Sequence, residues 1–385
     1  MSDYQIVVST YAGLEEVLAK ELQVLGGRDI ERHTRAVSCT GDKGFVYKAN
    51  FSLRTALRVM VTLNNFKFRD DKGLYDGVKE VEWSSFINPD QTISVRCTLS
   101  SDAFTNNLYP ALKAKDAIVD YFREKTGKRP DVDRQDADVQ VSLFIQERTC
   151  TVQLNSSGAS LHLRGYRQDV DKAPMSEVLA AGLILLTGWE GPRPLVDFMC
   201  GSGTIPIEAA LIAARIPPGV FRDKYAFEKW PDFDEELFTT IRNKQVERIA
   251  ETPVKIFGNE LVRRIADKAN ENVEAAKVED IVTITSMDYR DFEPPVNGGI
   301  VITNPPYGEK LEQEDLQEFY KEMGDTLKRR YSGYTAWIFT GTPEAHKWVG
   351  LRPSRKIPLF NGAIECRFMK YELFTGSKKD LYQTS

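Results

Sequence analysis

Asn304, Pro305, Pro306 and Tyr307 follow the apolar run at residues 299–303 (Gly-Ile-Val-Ile-Thr), and their chemistry points to one kind of substrate. A short apolar run of this sort predicts a buried strand. In an open α/β sheet, ligands bind outside the carboxyl ends of the strands. Two consecutive prolines fix the backbone and supply no N–H to pair with nearby carbonyls. The Asn304 side chain adds a further carbonyl acceptor, and Tyr307 adds a flat aromatic face. Two converging acceptors beside a ring suit a planar group bearing an exocyclic amine. Both amine hydrogens are then accepted, and the nitrogen lone pair turns towards an electrophile. A Pro-rich turn between strand and helix would read the same way, so a second motif is needed.

That motif lies at residues 194–204, Pro-Leu-Val-Asp-Phe-Met-Cys-Gly-Ser-Gly-Thr, where an apolar strand ends at Asp197 and runs into a glycine turn. The following residues, 205–214, predict a helix. Gly201 and Gly203 let a ligand approach the backbone at that helix N-terminus. A Walker loop requires Lys after its last glycine, and Thr204 stands there instead. A dinucleotide fingerprint requires a third glycine, where this chain has Pro206. What remains is Asp-x-x-x-Gly-x-Gly, with Cys200, Gly201, Ser202, Gly203 and Thr204 forming the turn. A strand-end carboxylate there suits the cationic amine of S-adenosylmethionine, which carries no phosphate to cradle. Cys200 as a nucleophile is disfavoured, because transfer to an amine needs no covalent intermediate and no His accompanies it.

Two further strands are expected between the motifs. Residues 254–260 end in Glu260, placed for ribose hydroxyls, and residues 281–288 end in Asp288, placed for an adenine amine. Strand-end acids are frequent, and each alone reads equally as a solvated residue.

The segments at residues 197–204 and 304–308 resemble the THUMP-domain bacterial 23S ribosomal RNA guanine-N2 methyltransferases, whose members are often labelled N6-adenine-specific DNA methylases. The likeness extends over nearly the whole chain: residues 13–22 resemble the family's opening helix, and residues 161–167 and 173–177 its interdomain junction. Residues 227–231 and 361–366 match as well. Two positions depart from the family pattern: Phe198 stands where Pro is usual, and Glu260 where Asp is usual, lengthening that arm by one methylene. The resemblance implies an α/β, class I S-adenosylmethionine-dependent methyltransferase fold, a Rossmann-like seven-stranded sheet, preceded by an N-terminal ferredoxin-like/THUMP α+β region. It implies a ferredoxin-like domain over residues 1–65, an RNA-binding THUMP domain over 66–165 and the methyltransferase domain over 166–385. Catalysis would fall to Asn304, Pro305, Pro306 and Tyr307. Cofactor contacts would come from Asp197, Cys200, Gly201, Ser202, Gly203, Thr204, Glu260 and Asp288. S-adenosylmethionine would leave as S-adenosylhomocysteine, and ribosomal RNA or a pre-ribosomal particle would be the partner.

Composition sets limits on this reading. A chain of 385 residues, 42% hydrophobic and 28% charged, accommodates two or three ordinary globular domains. The net charge of −5 argues against a strongly basic nucleic-acid clamp. Residues 1–165 carry equal numbers of basic and acidic side chains, so RNA contact must come from local patches. Candidates are Lys113 and Lys115, then Arg123, Lys125, Lys128 and Arg129, and the junction from Arg164 to Arg167. The N-terminus shows no signal-peptide pattern. The most apolar stretch, residues 178–189, is too short to span a bilayer and predicts a buried helix opening at Pro174 and closing at Gly188. Five scattered cysteines and three histidines give no metal-ligand spacing. No metal and no membrane are expected, and a reduced, cytoplasmic setting fits the thiols.

The first half predicts a strand at residues 4–9, then an amphipathic helix with Leu14, Val17, Leu18, Leu22 and Leu25 on one face, stopped at Gly26-Gly27. Further strands are expected at 92–99, 139–145 and 149–154, with a helix over 109–126. After the junction, strands alternate with helices, implying a largely parallel sheet. An aromatic-rich insertion at 215–252 interrupts the alternation, and reads either as a lid over the target base or as a packed satellite helix. Residues 316–331 carry a helical stripe that predicts core. Residues 334–340 predict a strand, and 356–373 a hairpin turning at Asn361-Gly362.

The expected chemistry is in-line methyl transfer to the exocyclic N2 amine of a guanine flipped from 23S ribosomal RNA and stacked on Tyr307. An N6-adenine DNA methyltransferase and a protein-glutamine N5-methyltransferase would use the same tetrapeptide. A non-catalytic RNA-binding assembly factor is the rival of another class.

Overall fold

The computed structural model describes residues 3–100, 102–167, 175–189, 191–306 and 313–374. Tyr307 and the helix start expected at Pro174 lie outside the described residues. Two compact units form: one holds the chain up to Thr10 with Leu18–Leu161 and Arg222–Glu247, the other Tyr11–Val17, His162–Phe221 and the chain from Arg248 onward.

The first unit is built on an eight-stranded sheet. Its strands are β1 (Tyr4–Ser9), β2 (Arg28–His33), β3 (Ala36–Gly41), β4 (Arg58–Lys67), β5 (Thr92–Ser100), β6 (Asp131–Val132), β7 (Val139–Gln146) and β8 (Thr149–Asn155), in the order β2-β3-β1-β4-β8-β7-β5-β6. The helices in this part of the chain are α1 (Glu15–Leu25), α2 (Lys43–Ser52), α3 (Asp71–Lys79) and α4 (Leu108–Thr126). Strand β4 is the seam, pairing antiparallel with β1 on one side and β8 on the other. Its register shifts between Thr62 and Asn64, which breaks the two-residue alternation by which a strand is recognised. Helix α1 ends at Gly26, whose φ of 98° is the left-handed conformation expected of a helix-stopping glycine. Helix α2 is N-capped by Asp42, which accepts from the Phe45 N–H at 2.8 Å.

The second unit is a seven-stranded sheet. Its strands are β9 (Leu195–Asp197), β10 (Ile256–Asn259), β11 (Val282–Thr285), β12 (Gly299–Thr303), β13 (Tyr334–Thr340), β14 (Arg355–Asn361) and β15 (Ile364–Glu372). The order is β11-β10-β9-β12-β13-β15-β14. The first five strands run parallel, and β15 and β14 close the sheet antiparallel. The closing hairpin turns at Gly362, with φ of 61°. Successive connections move outward from β9 to β11, then return to β12 on the other side. The β9/β12 boundary is therefore the topological switch point, where such sheets bind ligands. Helices α5 (Glu177–Leu186), α6 (Thr204–Ala213), α8 (Arg263–Ala275), α9 (Gln313–Arg330) and the short α10 (Ala345–Trp348) belong to this unit, and α7 (Glu235–Val246) lies in the insertion described below. The α9 stripe Leu316, Tyr320, Met323 and Leu327, with Tyr331 just past the helix end, is buried with Val301, Ile338 and Tyr371, as core. Burying one such side chain contributes on the order of 1.5–3 kcal/mol.

The aromatic insertion divides between the units. Residues 222–247, including α7 (Glu235–Val246), belong with the first unit. Tyr47 on α2 stacks on Phe227 at 4.5 Å, and Phe238 meets Phe227 edge-on at 5.1 Å. Lys43 pairs with Asp232 at 2.7 Å, and the Tyr47 hydroxyl accepts from the Asp234 N–H at 3.1 Å. These aromatics are committed to packing, so residues 222–247 form a satellite of the α2 region.

Candidate functional site

The site is assembled from four strand ends. Val301 of β12 lies beside Val196 of β9, so Asp197 and Asn304 follow from adjacent parallel strands. Asp197 is 1% exposed, and its carboxylate accepts from the Met199 N–H at 3.2 Å. Burial pushes its carboxyl up to about 7; the neighbouring Thr303 hydroxyl and the Met199 N–H work against that rise, and the Glu260 charge adds to it.

After Asp197 the chain makes a tight turn: the Gly203 N–H donates to the Cys200 carbonyl at 2.9 Å. Gly201 and Gly203 take φ of 55° and 82°, values that strain any residue with a Cβ. Among the described residues beyond its chain neighbours, nothing lies within 4 Å of where a Gly201 Cβ would stand, so the outer side of the turn is open for a ligand. Gly203 caps α6, whose first N–H groups therefore lie at the turn. Cys200 is buried, and that burial together with the Asp197 and Glu260 charges pushes its thiol well up, away from thiolate chemistry. The Ser202 carbonyl accepts from Asn272 of α8 at 3.0 Å. The Thr204 hydroxyl, 5% exposed as a residue, accepts from Arg167 at 3.0 Å.

Glu260, directly after β10, accepts from the Gly201 N–H at 3.1 Å and from the Val262 N–H at 3.0 Å. One oxygen goes to each donor, and each keeps a lone pair. Asp288 lies three residues past the end of β11, in a turn rather than at the strand end expected from the sequence. Arg290 grips its carboxylate from both sides, at 3.0 and 2.7 Å, and holds its pKa below the usual carboxylate range. Beside these acids stand Leu261 and Met287, apolar yet 66% and 40% exposed, an uncovered surface suited to a flat ring.

Asn304 follows β12 directly. Its Oδ1 is buried and has no hydrogen-bond partner among the described residues. A buried acceptor left unpaired costs roughly 1–3 kcal/mol, so its presence marks a position kept for a donor. Pro305 is buried and Pro306 exposed. Open space at Gly201, spare lone pairs on Glu260 and the orphaned Asn304 acceptor fit an adenosyl ligand with a cationic amine and a donor substrate.

Sequence reasoning missed the residues that tie the loops together. Asn259, fully buried at the end of β10, donates to the Phe198 carbonyl at 3.3 Å and the Met287 carbonyl at 3.0 Å. Its Oδ1 accepts from the Thr285 hydroxyl at 3.0 Å, and its own carbonyl accepts from the Cys200 N–H at 2.9 Å. One amide thus ties the loops after β9 and β11 to the end of β10. The only local signal was an amide directly before the strand-end acid.

The junction arginines, expected among the RNA contacts, are internal. Arg164 is 1% exposed and reaches Glu208 at 3.5 Å, which also accepts from the Tyr166 hydroxyl at 3.1 Å. Arg167 pairs with Glu177 at 3.2 Å besides holding Thr204. Both positive charges are spent inside the fold.

Residues 164–370 match the family described as the RMKL-like methyltransferase domain, residues 68–155 a THUMP domain, and residues 5–60 the RlmL ferredoxin-like domain. The chain is 34% identical over 364 residues to "Putative RNA methyltransferase slr0064" of Synechocystis sp. (strain ATCC 27184 / PCC 6803 / Kazusa), covering 94% of this chain and 95% of that protein. Among solved structures, SMU.472, titled "a putative methyltransferase complexed with SAH", matches with a TM-score of 0.88 and 28% identity over 98% of this chain and 100% of that one. A structure titled "a predicted N6-adenine-specific DNA methylase from Listeria monocytogenes str. 4b F2365" matches with a TM-score of 0.88 and 29% identity, over 97% of each chain. The chain belongs to the RMKL-like methyltransferase family, with a RlmL-type ferredoxin-like domain and a THUMP domain ahead of the methyltransferase domain.

Proposed function

We propose that this S-adenosylmethionine-dependent RNA methyltransferase modifies the exocyclic N2 amine of a guanine in 23S ribosomal RNA, as naked RNA or within a pre-ribosomal particle, in the cytoplasm. The division into residues 1–65, 66–165 and 166–385 assigns RNA engagement to the first two segments and chemistry to the third. The observation that carries the reading is the buried Asn304 Oδ1 beside the switch point, unpartnered among the described residues. It is an acceptor without a donor, where an amine would supply one.

When bound, S-adenosylmethionine supplies an electrophilic methyl group on a sulfonium. Asp197 and the turn from Cys200 to Thr204 hold its methionine part, Glu260 the ribose, and Asp288 the adenine amine. Asn304 Oδ1 and the Pro305 carbonyl accept the two hydrogens of the target amine and aim its lone pair, while Tyr307 receives the base face. Rate then comes mainly from proximity and orientation. The amine becomes acidic as it is alkylated, so the site needs no strong general base.

The same acceptors would serve an adenine N6 amine, and the description of the Listeria monocytogenes relative as a predicted N6-adenine-specific DNA methylase favours that second reading. Transfer of a labelled methyl group to unmodified ribosomal RNA, to DNA and to a protein release factor, followed by nucleoside analysis, separates them. N2-methylguanosine in the RNA is the expected product. N6-methyladenine in DNA, with RNA unlabelled, would overturn the proposal.

A further inference from the structure

Away from the strand ends, a groove of about 370 Å³ opens between α4 and β5 in the THUMP segment. Arg96, Lys115 and Arg134 rim it, and Leu108, Leu112 and Val132 line it. Those three apolar side chains are 56%, 40% and 50% exposed, a clustered surface with nothing among the described residues to cover it. No carboxylate is among its lining residues. Lys115 pairs with its neighbour Asp116, outside the lining. Arg96 instead adds to a field of like charge: the Arg58 guanidinium has its pKa lowered by burial and then by Arg96.

The groove also borders a free strand edge. Strand β6 pairs with β5 only at Thr92–Asp131 and Ile93–Val132. The Ile93 carbonyl accepts from the Asp133 N–H at 3.1 Å, so Ile93 faces β6. Backbone groups along a parallel strand point to alternate edges, and those of Val95 therefore face the groove that Val95 lines.

We propose that this groove binds a single-stranded stretch of the substrate RNA. Phosphates pair with Arg96, Lys115 and Arg134, a base lies against Leu108 and Leu112, and its edge is read by the Val95 N–H and carbonyl. The proposal rests on the RNA reading above and adds where the strand is held. Duplex RNA does not fit, because its bases are stacked away from such a floor. A positive rim over an apolar floor is the combination by which unpaired strands are bound. An extended peptide would use the edge but supply no phosphate to Arg96 and Arg134. In a chain of net charge −5, their concentration here favours a polyanion.

The test is fluorescence anisotropy on the full chain with a labelled single-stranded RNA of about 10 nucleotides, against duplex RNA and an acidic peptide as competitors. The variant R96A/R134A should bind the RNA at least about tenfold more weakly, and its salt slope should fall by about 1.4, the loss of two phosphate contacts. Leu112→Ser should weaken binding while leaving the slope unchanged. Melting temperature and S-adenosylmethionine affinity should match wild type in both, which separates loss of a groove from loss of fold. Wild-type affinity in R96A/R134A, or displacement of RNA by duplex or acidic peptide at equal concentration, would overturn the proposal. Methyl transfer is read in parallel. Wild-type protein that labels no RNA would remove the enzymatic reading, whereas R96A/R134A labelling RNA with unchanged KM would remove the groove alone.

Discussion

Glu260 and Gly201, 59 residues apart in the chain, meet through a 3.1 Å hydrogen bond from the glycine N–H to Oε2 of the carboxylate. The contact joins the ends of β9 and β10 and fixes the glycine turn while leaving that carboxylate lone pairs for a ligand. The glutamate is one methylene longer than the aspartate usual in the resembling family, and that reach is used to touch the turn.

Glu260→Ala should therefore weaken S-adenosylmethionine binding by about 10–100-fold, the size of a lost charge-assisted hydrogen bond. Saturating cofactor should restore much of the turnover. Titration calorimetry with steady-state kinetics reads both. An unchanged dissociation constant would remove Glu260 from the cofactor site.

The buried Asp197 predicts a pH dependence. Its folded carboxyl is pushed up to about 7 by burial, whereas an unfolded aspartate titrates near about 3.9. The folded chain thus holds the proton more tightly, and this residue's contribution to stability declines as pH rises from about 4 to about 7. A cationic amine needs the ionised form, so cofactor binding below about pH 7 must release a proton, and affinity should fall up to about tenfold per pH unit there. Calorimetry in buffers of different ionisation enthalpy counts that proton. Its absence near pH 6, or its persistence in Asp197→Asn, would contradict the assignment.

Asn259→Ala removes an amide that serves two carbonyls and one hydroxyl in a fully buried position. A loss of about 2–4 kcal/mol is expected, read by chemical denaturation. Cofactor affinity should fall with it, because the Phe198 and Met287 loops carry neighbours of the site. A variant as stable as wild type would show that the strand ends are set by other contacts.

At the junction, Arg164→Met should destabilise by about 3–5 kcal/mol by leaving Glu208 buried without its cation. Adding Glu208→Leu should recover much of that. A double variant no better than the single one would assign the cost to packing rather than to charge.

Much of the second unit was legible because its strands are short apolar runs with recognisable ends. Residues 299–303 and 334–340 form β12 and β13 as expected, and the Asn361-Gly362 turn makes the hairpin. Helix α1 likewise announces itself by one leucine face and a glycine stop. Strand β4 did not, because its register shift at Thr62–Asn64 breaks the alternation. Helix α2 did not, because residues 45–47 and 49–51 are all buried and no polar face shows. The joining of residues 222–247 with α2 depends on aromatic contacts across some 180 positions, as between Tyr47 and Phe227. Asn259 and the Arg164–Glu208 pair were silent for the same reason: their partners are distant in the chain.

The account turns on Asn304, and the most direct measurement pairs methyl transfer with cofactor binding in Asn304→Ala. Transfer to unmodified ribosomal RNA should fall by several orders of magnitude, while calorimetry gives an S-adenosylmethionine affinity close to wild type. A variant that still transfers at the wild-type rate, or one that no longer binds S-adenosylmethionine, would contradict the assignment of this amide to the target amine.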